Sequence, residues 1–160
     1  MSSANVLGSI ISGLFWLYLA NLLGTEDYGE ISYFLAIGSI ASSIAIVGGT
    51  YSMVVFSAKK VNVQPAIYFI SLIASIISAI VVFLISQNIA ISIYVIGFTI
   101  FNLALNEFIG CKLYKIWSRN YIIQKILFIA FAYILFEMFG TNGIILGLAL
   151  SFFPFFSRLF

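Results

Sequence analysis

Apolar runs about as long as a bilayer is thick, separated by short polar punctuation, constrain this chain more than any other feature of its sequence. A helix that crosses the roughly 30 Å hydrocarbon core needs about 20 apolar residues at a rise of about 1.5 Å each. On that measure the sequence predicts six spans, at about 5–23, 28–56, 66–86, 91–109, 121–139 and 144–160. Composition agrees: 63% of the 160 residues are hydrophobic and 8% are charged, and the mean hydropathy is +1.19. Water could not keep such a chain as a monomer. The expected fold class is therefore an all-α membrane protein, a six-transmembrane-helix bundle in a single transmembrane domain over 1–160. No loop is long enough to form a separate soluble domain.

The punctuation predicts where the helices turn. Glu26, Asp27 and Glu30 form the chain's cluster of acids, and an ionised carboxylate at the centre of a bilayer costs about 2.5 to 3.5 kcal/mol on insertion scales. Gly24 to Glu30 is thus a turn outside the hydrocarbon, with Gly24 as a helix C-cap and Thr25, Glu26 or Asp27 capping the next helix. Gly48-Gly49 in span two predicts a kink, or else a close packing contact. Pro65 suits the first turn of span three, where no backbone donor is needed. Gln87-Asn88 is a minimal turn, and Gly140 to Gly143 turns span five into span six. Met1 to Ala4 lacks the basic lead-in of a cleaved signal peptide.

Alternating the loops between two sides sorts the charges. Lys59, Lys60, Lys112, Lys115, Arg119, Lys125 and Arg158 fall on one side, and Glu26, Asp27, Glu30 and Glu137 fall on the other. Glu107 is the one acid on the basic side. The positive-inside rule makes the basic side cytoplasmic, with both termini inside. Lys112, Lys115, Arg119 and Arg158, with Tyr114 and Trp117, suit a headgroup interface.

Several chemistries are disfavoured. Seven basic residues spread over the length make no phosphate-tracking surface, which argues against nucleic acid as a partner. A lone Cys111 and the absence of His leave no intrachain disulfide, no zinc set and no general base, so neither metal, cofactor nor enzymatic acid/base chemistry is expected. The polar residues inside the spans form stripes instead. Asn5, Ser9, Ser12 and Trp16 recur at helical spacing on span one, Ser39 and Ser43 lie on one face of span two, and Asn102 and Asn106 lie on one face of span four. Each stripe has two readings: small and polar residues that let a neighbouring helix approach, or the wall of a hydrated substrate cavity. Glu107 likewise reads as a coupling residue or as half of an interfacial ion pair with Lys112 or Lys115. On span six Gly143, Gly147, Ser151, Pro154 and Arg158 share a face that should contact another helix.

Leu22-Leu23-Gly24-Thr25-Glu26-Asp27-Tyr28-Gly29 resembles the LG-x-x-x-[YF]-G turn after the first helix of polysaccharide flippases in the multidrug/oligosaccharidyl-lipid/polysaccharide exporter superfamily. Gly48-Gly49, the basic and aromatic Gly110 to Arg119 link and the Gly140 to Gly147 turn also resemble that family's N-terminal half. The resemblance implies a plasma-membrane carrier for lipid-linked saccharides, built from two six-helix lobes of which this chain is one. The implied partners are the saccharide substrate, membrane lipids and a second lobe, as a continuation of the chain or a second copy. Spans one and two carry no Arg or Lys, so an anionic headgroup would need its positive partner near Arg158 or in the second lobe. The first helix also lacks the embedded Asp common in the drug-exporting branch, which lowers the multidrug/cation antiporter alternative. A structural subunit of a membrane complex is the remaining one; it accounts for the hydropathy and not for the stripes.

Overall fold

Apolar segments with nothing else to bond their backbone N–H and C=O groups form helices, since a helix satisfies both within the segment. The computed structural model describes the backbone of residues 2–46 and 48–158, and the side chains of 5–46 and 48–156. Six α-helices and a terminal 3-10 segment occupy it: α1 (Ser2–Ile46), α2 (Gly49–Ala58), α3 (Gln64–Ser86), α4 (Ile89–Gly110), α5 (Tyr114–Phe139), α6 (Thr141–Leu150) and Phe153–Arg158. Among the described residues there is no strand. Four segments are long and apolar enough to cross a membrane: Asn5–Ile46 within α1, and α3, α4 and α5; Thr141–Phe156 is a shorter apolar stretch.

The 45 residues of α1 are two arms joined at Gly24, whose φ of 77° and ψ of 179° are not helical. Only glycine reaches that conformation without strain. The bend is sharp. Trp16 and Tyr28 would lie about 18 Å apart along a straight helix, yet their ring centroids are 6.1 Å apart. The chain therefore doubles back at a single residue, and the second arm starts at Thr25 rather than at Tyr28. Glu26, Asp27 and Glu30 are exposed on the early turns of that arm.

Other boundaries follow their local chemistry. The second arm stops at Ile46, and α2 begins after Gly48, which is left-handed at φ 73°, so the 28–56 span is a broken helix with its kink at the expected glycines. Pro65 lies in the first turn of α3. Gln87 closes α3 in the left-handed region, and the Asn88 side chain caps α4 by accepting from Ala90 N at 2.9 Å.

Two expectations are corrected. Span five starts at Tyr114, seven residues before 121, because Tyr114 to Asn120 continue as helix and only 111–113 remain as a turn. Span six does not run helically from 144 to 160. It ends at Leu150, four residues before Pro154, whose missing N–H would leave the Leu150 carbonyl unbonded and whose ring would crowd it. The tighter 3-10 segment follows, and the residues after Arg158 lie outside the described part.

The central helix α4 packs against every other element. It is buried nearly all round, with Ile91, Val95, Ile100, Leu103, Ala104 and Phe108 at its core, as a helix surrounded by others must be. The first arm of α1 runs parallel to α5: Gly8 sits against the Tyr121 ring, and seven residues further along both helices Phe15 meets Phe128 edge to face at 5.1 Å. Where α6 meets α5, a Cβ on Gly143 would collide with the Leu135 carbonyl, and one on Gly147 would lie 2.5 Å from Ala132 N. The glycine face of span six is thus a true contact face. It lets α6 lie backbone to backbone on α5.

These directions sort the turns into two ends. Asn88 Nδ2 donates to Asn142 Oδ1 at 2.6 Å, joining the Gln87-Asn88 and Gly140 turns, and the parallel arm brings Gly24 out beside the end of α5. Glu26, Asp27, Glu30 and Glu137 gather there. At the opposite end Gly110 abuts Ser57 and Val54 so closely that a Cβ would lie 2.6 Å from the Val54 carbonyl. The turns carrying Lys59, Lys60, Lys112 and Lys115 meet at that end.

Candidate functional site

A partly polar concavity lies at the break between α1 and α2. The helix stops at Ile46 and restarts after Gly48, and beside that break, against α4, lies a cleft of about 350 Å³. Ser43, Ile46, Gly48, Thr50, Tyr51, Phe98 and Asn102 line it. Tyr51 is 81% exposed, an aromatic face free to be covered.

Hydrogen-bond capacity in the cleft is partly committed. Ser43 Oγ donates to the Ser39 carbonyl at 2.8 Å, and Ser39 Oγ donates to the Leu35 carbonyl at 2.7 Å while lying 3.3 Å from Tyr94 Oη. Bonding back one turn uses the hydroxyl proton and leaves the oxygen able to accept. Asn106 Nδ2 donates to the Asn102 carbonyl at 2.7 Å, which holds that turn of α4. The Asn102 side chain can donate and accept together. The lining thus combines hydroxyls, one amide and two aromatic rings, a set suited to a ligand with hydroxyl edges and apolar faces.

The structure divides the sequence-predicted residues into two groups. Ser43 and Asn102 meet in the cleft, with Ser39 and Asn106 one turn away along their own helices. Asn5, Ser9, Ser12 and Trp16 lie on the first arm of α1, along the α5 side. Asn5 and Ser9 are exposed, Ser12 is half-buried, and Trp16 packs against Phe128 at 5.8 Å and Tyr28 at 6.1 Å. Thr50, Tyr51 and Phe98 were missed. Phe98 could have been found, since it sits one turn before Asn102 on the same face, and Thr50-Tyr51 follow directly on the two glycines of the kink.

Glu107 is half-buried and accepts a hydrogen bond from Tyr68 Oη of α3 at 2.8 Å, a partner the sequence reading did not foresee. Lys112 and Lys115 are exposed and line a shallow hollow of about 440 Å³ with Leu113, Tyr114 and Ile116. Arg119 is exposed on the first turns of α5. The side chain of Arg158 lies outside the described residues. Lys125 is the larger revision. With α5 starting at Tyr114, it stands about 16 Å along a helix about 39 Å long, near mid-helix, with its ammonium 5.4 Å over the Tyr121 ring.

Fold and hydropathy together define an all-α, membrane-compatible helical bundle. No family model, no curated protein and no solved structure matches the chain.

Proposed function

We propose that the chain is one lobe of a multi-pass plasma-membrane carrier that translocates lipid-linked oligosaccharide or polysaccharide precursors. The observation that carries the reading is the cleft at the broken helix. It puts Ser43, Thr50 and Asn102 beside the rings of Tyr51 and Phe98, hydrogen-bonding groups for sugar hydroxyls next to aromatic faces for the apolar side of a sugar ring.

The architecture supports the same reading. Asn5–Ile46 covers 42 residues, about 63 Å of helix, or twice the hydrocarbon thickness. Folded at Gly24, it makes two crossings. The remaining helices bring the total to six, if α6 and its 3-10 extension span together. Bases gathered at one bundle end and acids at the other orient the first end to the cytoplasm. Alternating access needs two bundles that rock about a site between them, so the cleft would face a second lobe, whether a further part of the same polypeptide or a second copy.

Binding tests the reading without requiring transport. In lipid nanodiscs the chain should bind a polyprenyl-linked oligosaccharide, and Tyr51→Ala and Asn102→Leu should each weaken binding roughly five- to tenfold, about the worth of one good contact. Ile134→Phe, on the lipid-facing side of α5, should bind as the parent does. Equal affinity in all four proteins would remove the cleft from the site.

A further inference from the structure

At the seam between α1 and α5 two buried polar atoms have no partner, and they lie at one level. Gln124 is 1% exposed. Its Nε2 donates to Ser151 Oγ at 2.9 Å, while Ser151 Oγ donates to the Leu148 carbonyl at 2.6 Å. The amide orientation is thereby fixed, since Ser151 has already spent its proton and can only accept from the glutamine. Gln124 Oε1 is left buried without a donor, and so is Ser12 Oγ without any partner.

The register places these two at one level of the seam. Gly8 packs on Tyr121 and Phe15 on Phe128, so Ser12, four residues beyond Gly8, comes level with Gln124 and Lys125. Gln124 also lies one turn before Phe128, on the face of α5 that meets Phe15 and Trp16. A buried carbonyl oxygen without a donor is costly, more so in a membrane interior where no solvent can compensate. Buried waters occupy such places when two to four polar groups surround them.

We propose that the α1–α5 seam holds a single bound water that donates to Gln124 Oε1 and bonds Ser12 Oγ. A water satisfies both atoms because it donates to the amide oxygen and can either donate to the hydroxyl or accept from it. A monovalent cation would also suit two oxygen ligands, but the Lys125 ammonium over the Tyr121 ring places a positive charge about one turn away. The site is independent of the saccharide cleft, which lies on the second arm of α1. Its consequence is mechanical: the first arm is fastened to α5 at mid-depth through an exchangeable molecule rather than through direct packing alone.

Two measurements test this on the full chain in nanodiscs. A structure at a resolution that shows waters should have density within about 3.2 Å of both Ser12 Oγ and Gln124 Oε1. A direct bond between the two side chains, or the Lys125 ammonium in that position, would overturn the proposal. Thermal unfolding of Ser12→Ala, Gln124→Met and the double variant gives the second. A shared water predicts that the double variant melts no lower than the worse single variant. Additive losses would contradict a shared water, and a melting temperature that rises with sodium over choline would make the ligand a cation instead.

Discussion

Two neighbours of α5, α6 and the first arm of α1, are held in opposite ways. Towards α6 the contact is backbone on backbone: Gly143 and Gly147 leave no room for a Cβ against Leu135 and Ala132. Towards the first arm of α1 it is side chain on side chain, with Gly8 under the Tyr121 ring, Phe15 and Trp16 on Phe128, and Ser12 and Gln124 Oε1 unpartnered between them. Without a hydrophobic drive between helices in lipid, close packing is the main source of association. The α5–α6 pair should therefore behave as one rigid unit, and the α1 arm as the element that can shift.

The largest expected effect is at the tight seam. Gly147→Leu puts atoms where the Ala132 backbone stands, which cannot move aside, so folded yield in detergent should collapse while Ile134→Phe is tolerated. Equal yields would mean that the α5–α6 contact is not rigid. At the looser seam Gly8→Leu meets the Tyr121 ring, a side chain rather than backbone, and a loss of about 1 to 3 kcal/mol is expected for such overpacking, read as a lowered melting temperature with folded protein still recovered. If Gly8→Leu proves as damaging as Gly147→Leu, the contrast between the seams fails. The smallest effect lies away from both. Tyr68→Phe removes the 2.8 Å hydrogen bond to Glu107 and should cost about 1 kcal/mol. An unchanged melting temperature in the same assay would mean that this bond adds nothing to stability.

The tight seam was legible in the sequence because glycines at three- and four-residue spacing have one obvious use on an apolar helix. Gly24, Gly48, Pro65 and Asn88 also stood where the chain bends, starts or caps. What the sequence did not show has physical reasons. Tyr114 to Arg119 read as interface by their chemistry, and that chemistry is equally at home on the first turns of a helix, so α5 starts early and Lys125 moves to mid-helix. Pro154 ends α6 a full turn ahead of itself, an effect hidden by the uninterrupted hydropathy around it. The cleft joins Ser43 and Asn102, 59 positions apart, through a helix break whose direction no periodicity specifies. Tyr51 could not be assigned to it before the direction of α2 after the break was known. Ser12 stood out as part of a polar stripe, but its partner level on α5 depended on the register of two helices more than a hundred residues apart.

Both the carrier reading and the orientation of the cleft require a bundle that crosses the membrane with its acidic end outside. Cysteine accessibility measures this directly, in a Cys111→Ser background with single cysteines at Thr25, beside Glu26 and Asp27, and at Asn62, beside Lys59 and Lys60. A membrane-impermeant maleimide should label Thr25→Cys on intact cells and Asn62→Cys only after permeabilisation. Labelling of Asn62→Cys on intact cells, with Thr25→Cys protected, would invert the bundle, and labelling of both without permeabilisation would contradict a membrane crossing between them.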